Sequence, residues 1–217
     1  MQKHIVCFGD SNTHGYCAET DGRFDESHRW TRLLQKSLGE GFLIIEEGLS
    51  GRTTCFQDPI HEGLSGIEYM YPCLMNHEPV DLLVVMLGTN DTKERFGSSA
   101  ACIALGLKRL LAKAVAVTDC WRGGRANILV VTPQNIHRDY IHTEIAKTMG
   151  NGCAEKSEML AEEFQKIAES MGFHYLDAND VIAAEPNHID YMHLTAEGHR
   201  QLAEALGRKI REITKEQ

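Results

Sequence analysis

Four short polar segments of this sequence carry residue types that can do chemistry together. In chain order they are Gly9-Asp10-Ser11-Asn12-Thr13-His14-Gly15, Gly48-Leu49-Ser50-Gly51-Arg52-Thr53-Thr54, Gly88-Thr89-Asn90-Asp91 and Asp190-Tyr191-Met192-His193. A serine directly after a strand and before a helix presents its hydroxyl at a sheet edge, beside helix-start N–H groups. Taken alone, Ser11 also suits a helix cap or a phosphate-holding turn. Asp10 puts a negative charge in that turn, and no Gly-Lys-Ser/Thr follows, both of which speak against phosphate. Gly51 lets a backbone N–H approach a ligand oxygen closely, although an ordinary turn glycine reads the same way. Asn90 offers an amide donor that deprotonation cannot remove, suited to a developing oxyanion, while capping of a following helix by Asn90 or Asp91 competes. Asp190 and His193 are three residues apart and can meet on one turn, the carboxylate fixing the imidazole for proton abstraction from a serine. With 11 histidines in the chain, such a pair also arises without function. Taken together, the four segments supply a nucleophile, oxyanion donors, a base and an acid that orients it.

These groups need a scaffold that brings them to one edge. Continuous apolar runs of strand type cover Ile5 to Phe8, Phe42 to Ile45, Leu82 to Leu87, Ile128 to Val131 and Phe173 to Leu176. Continuous rather than alternating hydrophobicity suits strands covered on both faces, as in a parallel sheet. Between them run stripes of helical spacing: Trp30, Leu33, Leu34 and Leu38; Ile103, Leu107, Leu110, Leu111 and Ala114; Leu160, Phe164, Ile167, Ala168 and Met171; and Leu202, Leu206, Ile210 and Ile213. Alternating strand and helix predicts a three-layer α/β/α sandwich, flavodoxin-like, with about five parallel strands. No repeat, low-complexity tract or linker interrupts it, so the expectation is a single domain over 1–217. Two stretches break the alternation, Cys55 to Val80 and Gln134 to Gly152, rich in Pro, Gly, His and Asn. Both follow a strand's end, where ligands bind in open α/β sheets, and both are expected to wall the pocket.

Composition narrows the partners. With 22 basic against 31 acidic residues the formal charge is -9, and no basic run appears, which argues against nucleic acid or an anionic membrane surface. The first apolar run is too short for a signal peptide, and a membrane span needs about 20 apolar residues. Seven scattered cysteines without a Cys-x-x-Cys pair suit reduced, mostly packed thiols and a cytoplasmic location. No metal or other cofactor is expected: His14, His28, His61, His77, His137, His142, His188 and His199 lack zinc-type spacing with cysteine or glutamate and read as surface or loop residues. Asp10 reads as an acceptor bracing the Ser11 turn, Trp30 as core, and the charged run Arg208 to Gln217 as the solvated face of a last helix.

The four segments, in this order, resemble the SGNH hydrolases, also called the GDSL esterase/lipase superfamily. The blocks Gly9 to Tyr16, Arg29-Trp30-Thr31, Glu46 to Thr54 and Met86 to Lys93 resemble its arylesterase/acyltransferase branch. The resemblance implies a catalytic triad of Ser11, His193 and Asp190, with an oxyanion hole from the N–H groups of Ser11 and Gly51 and the amide of Asn90. It implies an acyl-enzyme formed from a small-molecule ester, then attack by water or another alcohol, and a homo-oligomer whose neighbouring subunit can line the pocket. Asn12 departs from the leucine of many relatives at that position. Asn12, Arg52 and Thr89 are the candidates for the substrate pocket. The expected activity is hydrolysis of short aryl or alkyl esters. The rivals are a carbohydrate O-deacetylase, a lysophospholipase or thioesterase, and, outside enzymes, a phosphate- or nucleotide-binding domain.

Overall fold

The computed structural model describes residues 1–215; Glu216 and Gln217, the end of the charged C-terminal run, lie outside the described residues. In chain order the elements are β1 (Lys3–Gly9), α1 (Ser11–His14), β2 (Tyr16–Cys17), β3 (Gly22–Arg23), α2 (Trp30–Leu38), β4 (Phe42–Gly48), α3 (Gly66–Asn76) and β5 (Leu82–Met86). They continue with α4 (Ala100–Val115), β6 (Ile128–Thr132), α5 (Ala146–Met149), α6 (Cys153–Glu158), α7 (Leu160–Met171), β7 (His174–Asp177) and α8 (Ala196–Lys215).

The five apolar runs form one five-stranded sheet in the order β4-β1-β5-β6-β7, and every pairing in it is parallel. Successive side chains of a strand point to opposite faces, and here both faces are covered. Val6, Phe8, Leu83 and Val85 pack into one cluster with α3, α4 and α7; Ile5, Cys7, Leu82 and Val84 pack into the other with α2 and α8. The result is the expected three-layer α/β/α sandwich. The strand order reverses between β1 and β5, and the crevice beyond that reversal is where open α/β sheets bind ligands. Ser11 follows β1, and Asn90 lies four residues past the end of β5.

The interruption from Cys55 to Val80 is not all loop. Gly66–Asn76 is helical, with Met70, Cys73 and Leu74 buried against the α4 side of the core. Their i, i+3, i+4 spacing is the helical signal; Pro72, exposed inside the helix, obscured it. His199 also departs from expectation. It is fully buried on α8, because it extends the stripe of Leu202, Leu206, Ile210 and Ile213 by one turn toward the N-terminus.

Candidate active site

The Ser11 turn is built by Asp10, whose carboxylate caps α1 by accepting the Asn12 N–H at 3.0 Å. That carboxylate occupies the helix-start position a phosphate would need, which removes the physical basis of a phosphate cradle. Gly48 lets α1 lie directly on β4: a Cβ there would sit 2.1 Å from the His14 backbone nitrogen. Ser11 is thereby fixed beyond β1, 5% exposed. Its Oγ is 2.8 Å from His193 Nε2, and His193 Nδ1 is 2.7 Å from Asp190 Oδ2. With Nδ1–H donating to the carboxylate, Nε2 is free to accept the serine proton.

Asp190 is set by its own turn. Its Oδ1 accepts the N–H groups of Met192 and His193 and the side-chain amide of Asn187. Burial alone would raise this carboxyl, but the hydrogen bonds and charge of His193, with the Asn187 amide, hold it well below the usual carboxylate range. Asn187 also donates to the His193 carbonyl at 2.6 Å. The Tyr16 ring lies 4.4 Å from the imidazole, centroid to centroid. Asp10 differs from Asp190: burial pushes it up to about 6, against lowering by the Asn12 N–H and the His193 and Arg52 charges.

Gly51 has φ +87°, a left-handed conformation, and a Cβ would meet Leu64 at 2.9 Å. Among the hydrogen bonds of the described residues, none uses the N–H of Ser11 or of Gly51. Asn90 joins them from beyond β5, its Nδ2 donating to the Arg52 carbonyl at 3.2 Å and reaching toward Asp10 Oδ2 at 3.5 Å. Ser11, Gly51, Asn90 and His193 all line one cavity of about 170 Å³. Larger hollows exist, such as one of about 670 Å³ lined by Lys3, Asp81 and Arg122, but it lies at the opposite ends of the strands, away from this chemistry.

The GDSL-like Lipase/Acylhydrolase family matches residues 7–201, a span that contains Ser11, Gly51, Asn90, Asp190 and His193. The chain belongs to this family. Among solved structures, the aryl esterase of M. smegmatis is 34% identical with a TM-score of 0.86, over 97% of this chain and 99% of that one. A carbohydrate acetylesterase from Sinorhizobium meliloti is 33% identical with a TM-score of 0.87, over 98% and 100% of the two chains. No curated protein sequence matches the chain significantly. The family and these esterases together make the protein a carboxylic-ester hydrolase of the SGNH superfamily, with small-molecule esters as substrates. Among the described residues no helix is long and apolar enough to cross a membrane.

Within this hydrolase the three pocket candidates from the sequence are all buried and none lines the cavity. Asn12 Oδ1 accepts the Leu194 N–H and its amide donates to the Met192 carbonyl, so the side chain faces the histidine loop. Arg52 donates to the Gly9 and Glu47 carbonyls and stacks 4.2 Å over the Phe8 ring. Thr89 turns its hydroxyl into the interior, where Oγ1 has no hydrogen-bond partner among the described residues. The Gln134 to Gly152 stretch does wall the cavity, through Ile145, Thr148 and Met149. The Cys55 to Val80 stretch contributes no side chain to it; Leu64 instead supports Gly51 from behind.

Tyr16, Ser50, Lys93, Met149 and Met192 complete the lining. Tyr16 and Lys93 stood inside quoted sequence blocks but carried no spacing rule of their own. Among the described residues, Glu47, Cys73 and His77 form a trio that could ligate a metal, their ligand atoms within 4.8 Å of one another. His77, read as a surface or loop residue, is in fact half-buried there, its Nε2 2.6 Å from Glu47 Oε1 as a carboxylate–imidazole pair. The trio lies beside Arg52 and outside the cavity that Ser11 lines.

Proposed function

We propose that this hydrolase is a serine esterase for short-chain carboxylic esters, a single catalytic domain over 1–217 working in the cytoplasm through an acyl-enzyme on Ser11. The observation that carries the reading is the unbroken chain from Ser11 Oγ to His193 Nε2 at 2.8 Å and from His193 Nδ1 to Asp190 at 2.7 Å. His193 takes the hydroxyl proton as Ser11 attacks the ester carbonyl, and the Asp190 carboxylate stabilises the imidazolium. The oxyanion accepts from the Ser11 and Gly51 N–H groups and the Asn90 amide. His193 then returns its proton to the departing alkoxide. Water, activated by the same imidazole, releases the acid; an alcohol in its place gives acyl transfer.

A cavity of about 170 Å³ supports small acyl groups and disfavours a lysophospholipase or long-chain thioesterase. Deacetylation of carbohydrates is the second reading, favoured by the 33% identity to a carbohydrate acetylesterase. A homo-oligomer is part of the proposal. Leu49, Ile60, Ile141 and Ile189 expose apolar surface on segments that follow strand ends, area that a second copy would cover, and sedimentation velocity tests it.

The deciding experiment is hydrolysis of p-nitrophenyl acetate by the wild type and Ser11→Ala, with intact mass after a fluorophosphonate probe. Turnover and a single adduct in the wild type, both lost in folded Ser11→Ala, are the expected result. A folded wild type with neither would overturn the reading. Acetylated sugars against aryl acetates then rank the two substrate classes, and product partition in added alcohol measures acyl transfer.

A further inference from the structure

Lys93 is the cation of the catalytic cavity. It follows Asn90 by three residues, caps the 3-10 turn Asn90–Thr92 and leaves its side chain 6% exposed. Among the described residues its ammonium makes no hydrogen bond; its one ion pair is a long contact of 3.9 Å to Asp58 Oδ2. Asp58 is already taken, by Arg95 Nη2 at 2.6 Å, by Arg95 Nε and by the Ile60 N–H. The other carboxylates facing Lys93 are also engaged. Asp10 accepts from the Asn12 N–H, and Asp91 accepts from the Thr54 N–H at 2.9 Å and the Thr54 hydroxyl at 2.5 Å. Lys93 is thus held by charge at a distance, with its N–H donors unassigned, in the cavity that contains the nucleophile.

The direction of the chemistry decides which part of an ester meets it. In the tetrahedral intermediate one substituent points to the oxyanion donors, and the leaving oxygen must lie near His193 Nε2 to be protonated. Tyr16 packs on His193, while Lys93 ends the 3-10 turn that begins at Asn90 and lines the same cavity, next to the segment whose Thr148 carbonyl accepts from Arg95. The acyl substituent, turned away from His193, is then the part of the ester placed to reach Lys93. A saturated acyl chain placed there displaces solvent from a buried ammonium and gives it no acceptor, and leaving a buried donor unpaired is penalised more than a missing methylene.

We propose that Lys93 is a specificity-determining, substrate-binding residue that selects short acyl groups carrying an oxygen acceptor next to the scissile carbonyl, as in hydroxy- or alkoxyacetyl esters. The inference rests on the serine esterase reading above.

The test compares p-nitrophenyl methoxyacetate with p-nitrophenyl butanoate, which differ by one CH2 replaced by oxygen. Their kcat/KM values are measured on the wild type, Lys93→Met and Lys93→Gln, each divided by the rate of the same ester with hydroxide. The ratio comes from one preparation, so it does not depend on how much of a variant is folded. The expected wild-type preference for methoxyacetate falls by about tenfold or more in Lys93→Met, as loss of a charge-assisted hydrogen bond requires. Lys93→Gln, which keeps a neutral donor, should lie between. A corrected wild-type ratio of one or less, or a ratio unchanged in Lys93→Met, overturns the role of Lys93 while leaving the esterase reading intact. Absence of turnover and of the fluorophosphonate adduct in the wild type overturns both.

Discussion

Asn12 Oδ1 accepts the backbone N–H of Leu194 at 2.9 Å, joining the residue after Ser11 to the residue after His193. The Asn12 amide donates to the Met192 carbonyl at 3.4 Å, so one side chain holds the backbone on both sides of His193. Trp30 Nε1 donates to the Asn12 carbonyl at 3.0 Å and ties this clamp to α2. The Ser11–His193 distance is therefore set from behind, by a buried amide that does not line the cavity.

Asn12→Leu tests the clamp. It leaves the Leu194 N–H buried without its partner and is expected to lower stability by about 1–3 kcal/mol. The histidine loop loosens, so kcat should fall while KM for a short ester changes little. Urea unfolding and steady-state kinetics read the two effects. A variant with unchanged kcat and a new acyl-length preference would instead place Asn12 in contact with substrate.

Asn90→Ala removes one oxyanion donor, and kcat should fall by about 10²–10³, less than the loss in Ser11→Ala. The Arg52 carbonyl also loses its Asn90 donor, so a drop in melting temperature should accompany the kinetic defect. Fluorophosphonate labelling of Ser11 should persist at a reduced rate, which separates a lost donor from a lost nucleophile.

The small cavity predicts a sharp decline in kcat/KM along p-nitrophenyl acetate, butanoate, hexanoate and octanoate. Met149 is buried and lines the cavity with Ser11, so Met149→Ala should extend the tolerated chain length. Equal activity on octanoate and acetate in the wild type would contradict a limit set by this small cavity.

His199 supplies a pH prediction. Burial, followed by the charge of His193, lowers it to about 3 from an ordinary 6.5. The unfolded chain then binds the extra proton between those values, so this residue's contribution to stability is lost as pH falls below about 6.5 and continues to fall toward 3. Asp10 and Asp91, raised to about 6 by burial, act with the opposite sign, favouring the folded state as pH drops from 6 toward 3.8. The readout is therefore the difference between the wild type and His199→Gln. It should change by up to about 1.4 kcal/mol per pH unit within the His199 window. Parallel stability curves for the two proteins would mean that His199 is not held neutral.

The sequence by itself determined the layered fold and the candidate chemistry. Both depend on local signals: apolar runs such as Leu82 to Leu87, helical stripes such as Leu202 to Ile213, and polar segments just past strand ends. The order of Ser11, Gly51, Asn90, Asp190 and His193 was enough to suggest what the edge of the sheet would hold. Even α3 and His199 left legible spacings, hidden by Pro72 and by the habit of reading histidine as polar. Only the tertiary structure decided which neighbours of those residues face the cavity. Asn12, Arg52 and Thr89 sit next to functional residues in sequence but turn into hydrogen bonds and interior packing. Tyr16, Met149 and Lys93 reach the cavity from three separate segments. Side-chain direction at a turn is fixed by what packs against it, and that packing is long-range. Spacing along the chain can place a residue at the sheet edge; it does not say that Lys93, held at 3.9 Å from Asp58, also lines the cavity that Ser11 lines.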